Sequence, residues 1–544
     1  MTVMSQFSLE ETIPHYDVLV IGGGANGAGI ARDAAGRGYS VILCEKGDFG
    51  AGTSSASTKL FHGGLRYLEY LEIRLVREAL MEREVLLRAM PHIAWPMRFV
   101  LPYHADMRFD GTTPVSRVLS VLMPWQRGRR PAWLIRLGLF LYDTLGKRQL
   151  LPPTRSVDLT QDVAGVPLKA KYRKAFEYSD CWVDDARLVI LNLRDALAKG
   201  ADINGHTAVS QARFDGTKWV VETRSDDGSQ KSFTAALIVN SAGPWVDEVL
   251  KTVFGQNDAR NIRLVRGSHI VVPRKFDHDR TYFFQNTDGR IIFAIPYETD
   301  YTLIGTTDMD HDDIHVQPEI THQELTYLCD MASQYFRQPV TPEDVVWTYS
   351  GVRPLYDDGA SAAREATRDY VVRPDTSQGM GPLLNIFGGK LTTYRRLAEA
   401  VMTQVESLLG RKGAPWTHAA PLPGGDFSLS RVRDMIDAVQ RDFPVLDAYT
   451  AQRLVRAYGT EVRNVLGVPT GLNGWGEHFG AGLYEAEVRH LIKDEWATSA
   501  DDILYRRTKL GLRMTKIERS RLADFVAQLC SGDALQNQIR QANS

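Results

Sequence analysis

Short apolar runs alternate with small-residue and polar stretches through most of the chain. The clearest alternation spans Asp17 to Glu45. Val18-Leu19-Val20-Ile21 meets three glycines, a small-residue segment follows, and Val41-Ile42-Leu43-Cys44 ends on an acid. That order predicts strand, tight turn, helix and strand. From Leu68 to Ala89 the spacing of Leu71, Leu75, Ala79 and Val85-Leu86 predicts a helix with one apolar face, stopped by Pro91. Trp133, Leu134, Leu137, Phe140 and Leu141 form a second helical stripe. Further on the period changes to two. Lys218–Arg224, the turn Asp226-Asp227-Gly228 and Lys231–Thr234 read as a hairpin leading into the strand Ala236–Asn240. Ser268–Val272, Ile291–Ile295 and Thr302–Ile304 continue as a mainly antiparallel sheet. Leu383–Phe387 is a strand that runs into Gly388-Gly389 and then a helix, Tyr394–Leu409. Beyond Pro415 the pattern is helical, with Thr450 as a helix cap, Gly459 as a stop, and Ser499–Asp502 as a capping box.

Composition narrows the class without choosing a function. The 544 residues allow several domains, and 44% apolar with 24% charged content suits a globular protein. A formal net charge of −2 argues against nucleic acid as a partner. Cys44, Cys181, Cys329 and Cys530 lie far apart with no CxxC pair, so neither a disulfide framework nor structural zinc is expected. The N-terminal stretch carries acids and no apolar core, unlike a signal peptide. No window approaches the roughly 18 uncharged apolar residues that span a bilayer. Asp308 to His315 gathers oxygen and imidazole groups, but their spacing matches no ligand set, and no metal is expected.

The Asp17–Glu45 unit is a dinucleotide-binding fingerprint. Gly22 would permit the turn, Gly24 the approach of a pyrophosphate, and Gly27 the packing of helix on strand. Glu45 would accept from a ribose hydroxyl, and the helix N-terminus would face the phosphates. A hydroxyl-rich run, Thr53 to Lys59, and the paired glycines after His62 suit a backbone lying against a ligand. Gly243 follows a strand in the same way. The late turn Gly388–Thr393, again at a helix N-terminus, is what FAD needs and NAD does not. Its N–H groups, the helix dipole and Lys390 would stabilise negative charge on a reduced flavin. Cofactor contacts are therefore expected from Gly22, Gly24, Asn26, Gly27, Glu45, Thr53, Ser54, Ser55, Ser57, Lys59, Gly243, Gly389, Leu391 and Thr392.

With these residues in view, the chain closely resembles the flavin-dependent, aerobic glycerol-3-phosphate dehydrogenases. The motifs are IGGGANGAGIARDAAGRG, TSSASTKLFHGGLRYLE, FEYSDCWVDDARL, GSHIVVPR, IGTTD, WTYSGVRPL, TRDY, FGGKLTTYR and, in the tail, ADDILYRRTKLGL. The resemblance implies an α/β architecture with three parts. A discontinuous Rossmann-like FAD-binding domain of glutathione-reductase type would occupy 16–95, 156–250 and 346–410. An antiparallel-sheet substrate domain would occupy 251–345, with 96–155 as a substrate- or membrane-facing segment. An all-α C-terminal cap domain would occupy 416–544, and 1–15 would be a flexible lead-in.

The same resemblance implies oxidation of sn-glycerol 3-phosphate to dihydroxyacetone phosphate in glycerol catabolism, with electrons passed to a membrane quinone. It also implies a homodimer. A phosphate dianion calls for several cations, and arginine forks match its oxygens. By similarity Arg353, Arg368 and Lys390 would contact substrate, with Arg66 and Tyr67 nearby. The 2-hydroxyl needs a base as the hydride leaves, and His62 is the candidate because imidazole titrates near neutrality. The basic, aromatic segment around Trp133 to Tyr142, with Arg129 and Arg130, would dock on an anionic membrane surface. That places the protein peripherally at the cytoplasmic side of the cell membrane. An oxidase using O2, an FAD-dependent amino-acid oxidase and a non-catalytic FAD-binding scaffold remain as alternatives.

Overall fold

A computed structural model describes residues 13–104, 132–285, 290–357, 369–375, 379–467 and 472–531. The apolar run at the start of the fingerprint is wholly buried because its strand is central. His15–Ile21 pairs in parallel with Val41–Cys44 on one side and with Gln230–Asn240 on the other. Leu383–Gly388 adds a further parallel strand, Asp202–Asn204 another at the far edge, and Tyr370–Pro374 closes antiparallel. Helix α1 (Ala25–Gly36) packs on the helices Asp185–Ala198 and Tyr394–Leu409. The late strand and helix thus return beside the first, as a discontinuous FAD-binding domain requires. The predicted hairpin forms, Trp219–Ser225 against Gln230–Asn240.

The second sheet has ten strands, antiparallel except for Thr281–Gln285 beside Ala94–Tyr103. Lys174–Val183 and Trp347–Tyr356 belong to it, although both fall in stretches expected to serve the cofactor domain. Each is bound there by a long ladder, the first to Ala94–Tyr103 and the second to Ile262–Pro273. Such pairing partners are distant in sequence, so local periodicity does not reveal which sheet claims a strand.

Residues after 415 are mainly helical, with one small ribbon, His478–Gly480 against Leu483–Tyr484. The cap of the helix Ala448–Tyr458 is Asp447, not Thr450: its carboxylate accepts the Thr450 N–H at 2.7 Å. At Ser499 the predicted box forms, with Asp502 accepting the Ser499 N–H at 2.9 Å and Ser499 Oγ accepting the Asp502 N–H at 3.2 Å. Ion pairs tie this region down: Arg507 to Asp48 at 2.6 Å and Arg187 to Glu495, both buried, and Lys509 to the half-buried Asp184 at 2.5 Å.

Two helical expectations change. The 68–89 segment is a 3-10 turn, Leu65–Tyr70, followed by α2 (Ile73–Ala89). Between them Leu71 takes a left-handed φ of 61° and is 59% exposed, so it leaves the buried face. In α3 (Ala132–Leu145) the predicted stripe points mostly outward. Ile135, Leu139 and Tyr142 fill the core, while Trp133, Leu137, Phe140 and Leu141 are exposed, Trp133 by 55% and Phe140 by 60%. The helix is apolar on both sides. Among the described residues no helix is long and apolar enough to cross a membrane.

Candidate active site

One cavity of about 680 Å³ runs along the C-terminal ends of the parallel strands, where an open α/β sheet binds its ligand. The fingerprint builds one wall. Gly22 has φ +105°, and a Cβ there would stand 2.7 Å from the Ser241 carbonyl oxygen. Gly24 precedes α1, whose first N–H, that of Ala25, is taken by Ser54 Oγ at 2.9 Å. Gly27 lies outside the lining; a Cβ on it would overlap the Gly22 carbonyl oxygen, so its role is close packing. Glu45 holds the turn itself: its Oε2 accepts the Gly23 N–H at 2.7 Å and its Oε1 the Gly47 N–H at 3.0 Å. A carboxylate has about four acceptor directions, which leaves room for ribose hydroxyls.

The other walls come from far along the chain. Asn26 Nδ2 donates to the Gly388 carbonyl at 3.3 Å, joining the two glycine turns directly. Gly388 and Gly389 have φ of +68° and +98°, and Gly389, Lys390, Leu391 and Thr392 line the cavity. Thr53, Ser54, Ser57 and Gly243 line it as well, and Thr53 Oγ1 donates to the Val352 carbonyl. Ser55 and Lys59 do not line it. The Lys59 ammonium is buried, donating to Asp185 at 2.7 Å and to the Ser55 carbonyl at 3.0 Å, so its place is structural. Ser57 shares that carboxylate through Oγ at 2.7 Å.

His62, Tyr67, Arg353 and Lys390 share the cavity with the dinucleotide cradle. The His62 N–H donates to Thr392 Oγ1 at 3.3 Å, which ties the histidine loop to the late glycine turn. The Lys390 ammonium sits 3.7 Å over the Tyr67 ring. Arg353 bonds Thr306 Oγ1 at 3.1 Å and engages Asp308. Asp310 pairs with Arg263, so acids of the Asp308–His315 tract serve arginines. Arg66 lies in the 3-10 turn outside the lining, and Arg368 is outside the described residues, as are Arg129 and Arg130.

His269, outside the residues expected from the sequence, also lines the cavity. Its Nε2 meets Thr58 Oγ1 at 2.9 Å, and its ring stacks on Tyr349 with centroids 4.7 Å apart. Burial, and then the Arg353 and Lys59 cations, hold its imidazole well below the usual range, so it is neutral. A histidine directly before the apolar run Ile270–Val272 in GSHIVVPR is the local signal for it.

A family model of FAD dependent oxidoreductases matches residues 17–395, and one of the C-terminal domain of alpha-glycerophosphate oxidase matches 415–533. The D-erythritol 1-phosphate dehydrogenase of Brucella abortus is 48% identical, covering 94% of this chain and 97% of its own. The glycerol-3-phosphate dehydrogenase of Pseudomonas aeruginosa is 45% identical, covering 94% and 95%. The crystal structure of glycerol-3-phosphate dehydrogenase from Bacillus halodurans, complexed with FAD, matches with a TM-score of 0.70 at 26% identity, covering 95% of this chain and 94% of that one. FAD is the cofactor. The residues present suit it: two glycine turns at helix N-termini face one cavity, and the Glu45 carboxylate stands beside the first.

Proposed function

This chain belongs to the FAD-dependent oxidoreductase family, and from that premise we propose that it oxidises sn-glycerol 3-phosphate to dihydroxyacetone phosphate and passes the electrons to a membrane quinone. The observation that carries the reading is the shared cavity, in which a dinucleotide cradle meets Arg353, Lys390 and an imidazole. Bound FAD supplies the hydride acceptor. Arg353 and Lys390 hold the substrate phosphate, with Tyr67 beside them in the cavity and Arg368 as a further contact. The phosphate competes with Asp308 for the Arg353 fork. His62 takes the proton of the 2-hydroxyl as the C2 hydride departs.

A second substrate has its own support in the 48% identity to a D-erythritol 1-phosphate dehydrogenase. Both substrates are short polyol phosphates with a secondary hydroxyl, so the same cations and base serve either. Anaerobic addition of each to the FAD-loaded enzyme separates them by the rate at which the flavin absorbance bleaches. Glycerol 3-phosphate is expected to bleach faster; faster bleaching by D-erythritol 1-phosphate reverses the assignment. No bleaching by either, with bleaching by an amino acid or by nothing, rejects the reading. Subsequent mixing with a quinone analogue or with oxygen then identifies the acceptor.

Peripheral membrane attachment is supported by the exposed apolar face of α3, beside exposed Leu71 and Ile73. Inserting large apolar side chains contributes about 1.5–3 kcal/mol each. The double variant Trp133→Ser/Phe140→Ser is therefore expected to reduce binding to phosphatidylethanolamine–phosphatidylglycerol vesicles by at least about tenfold. Unchanged co-sedimentation removes α3 from the membrane contact.

A further inference from the structure

The inner face of α3 reaches the histidine loop. Tyr142, 1% exposed, donates its hydroxyl hydrogen to the Asp180 carboxylate, whose oxygens lie 2.9 and 2.7 Å away. The same hydroxyl oxygen accepts the Gly63 N–H at 2.7 Å, and Asp180 Oδ1 lies 3.4 Å from that N–H. Behind them the Arg83 guanidinium donates to Asp180 at 2.6 Å and to the Ser179 carbonyl at 2.8 Å. All three side chains are buried. Burial, and then the Asp180 charge, raises the Tyr142 phenol well above its usual range, so it stays a neutral donor.

The fit is close as well as polar. A Cβ on Gly63 would overlap Leu80 and stand 2.8 Å from Tyr142 Oη, so the loop backbone rests directly on the tyrosine. Two consecutive N–H groups are thereby fixed by separate elements: that of His62 by Thr392 and that of Gly63 by Tyr142. A packing role alone needs the ring of residue 142 but not its hydroxyl.

We propose that Tyr142, braced by Asp180 and Arg83, is a positioning residue that sets the His62 imidazole through the Gly63 N–H. The proposal rests on His62 acting in the oxidation. It also places the positioning hydroxyl on the helix whose outer face carries Phe140 and Leu141, so the loop's geometry follows the seating of α3.

The test is Tyr142→Phe in the full-length, FAD-loaded enzyme, which keeps the ring and removes the hydroxyl. Misplacement of a reacting group by about 1 Å costs up to about 100-fold, so flavin bleaching by glycerol 3-phosphate is expected to slow about 10- to 100-fold at saturating substrate. The apparent Kd from the same titration should stay within about twofold, because the phosphate contacts are untouched. In a His62→Ala background the same substitution should have little further effect, since its action passes through His62. Wild-type bleaching in Y142F overturns the proposal, as does an equal loss with and without His62. If H62A alone bleaches normally, the reading of His62 has failed and the positioning role falls with it. Should Y142F lose FAD, Asp180→Asn measured the same way decides, with the same loss and the same dependence on His62 expected.

Discussion

Replacing His62 with alanine is expected to slow reduction of the bound flavin by glycerol 3-phosphate by about 10²–10⁴-fold, the usual contribution of a general base. FAD content should be unchanged. An alcohol is too weak an acid to ionise unaided near neutral pH, so the proton must leave as the C–H bond breaks. His62 lines the cavity, and its backbone is tied to the turn that carries Leu391 and Thr392. His269 shares the cavity but is committed to Thr58 and Tyr349 and is held neutral by burial. Stopped-flow bleaching under anaerobic conditions separates the two histidines. A near-normal rate in H62A, with a large loss in His269→Ala, transfers the role to His269. His62→Asn distinguishes a lost base from a lost hydrogen bond, because asparagine retains a donor and cannot take the proton.

Gly27→Ala is expected to yield protein without FAD. The added Cβ would overlap the Gly22 carbonyl oxygen and stand 2.7 Å from Ser241 Oγ. Backbone in the turn cannot yield without moving Gly22, whose φ of +105° already confines it to glycine. Helix α1 must then shift from the strand, and its N-terminus no longer faces the phosphates. Absorbance of the purified protein at flavin wavelengths reads the outcome. Gly138→Ala is the control: nothing lies within 4 Å of its added Cβ, and within a helix alanine is favoured by about 1 kcal/mol. Full FAD occupancy in G27A would show that the close approach is dispensable.

Much of the cofactor cradle was readable in order along the chain. Strand, glycine turn, helix and acid are set by local rules, and the resulting geometry follows within one unit. The late glycine turn was readable for the same reason, since a strand entering a helix through two glycines is a local pattern. Glu45 shows the limit of that reading. Its type and position suggested a ribose contact, but its carboxylate also closes the turn by accepting the N–H groups of Gly23 and Gly47. Lys59 shows a sharper one. It sits inside a ligand-facing motif, yet its ammonium turns away to Asp185, a residue 126 positions on.

Periodicity alone determined that this chain carries a dinucleotide fingerprint, a second glycine turn, an antiparallel middle and a helical tail. Resemblance then attached FAD and a phosphate-bearing substrate to those patterns. Tertiary structure decided what periodicity cannot express, namely which distant group meets each side chain. It turned Trp133 and Phe140 of α3 outward and Tyr142 inward, because large apolar residues on both sides of a helix leave no local signal for the side that packs. It assigned Lys174–Val183 to the second sheet, and it brought Tyr142 to Gly63 across 79 residues. Buried polar groups must find partners wherever the fold supplies them, and those partners are fixed by how the chain closes on itself.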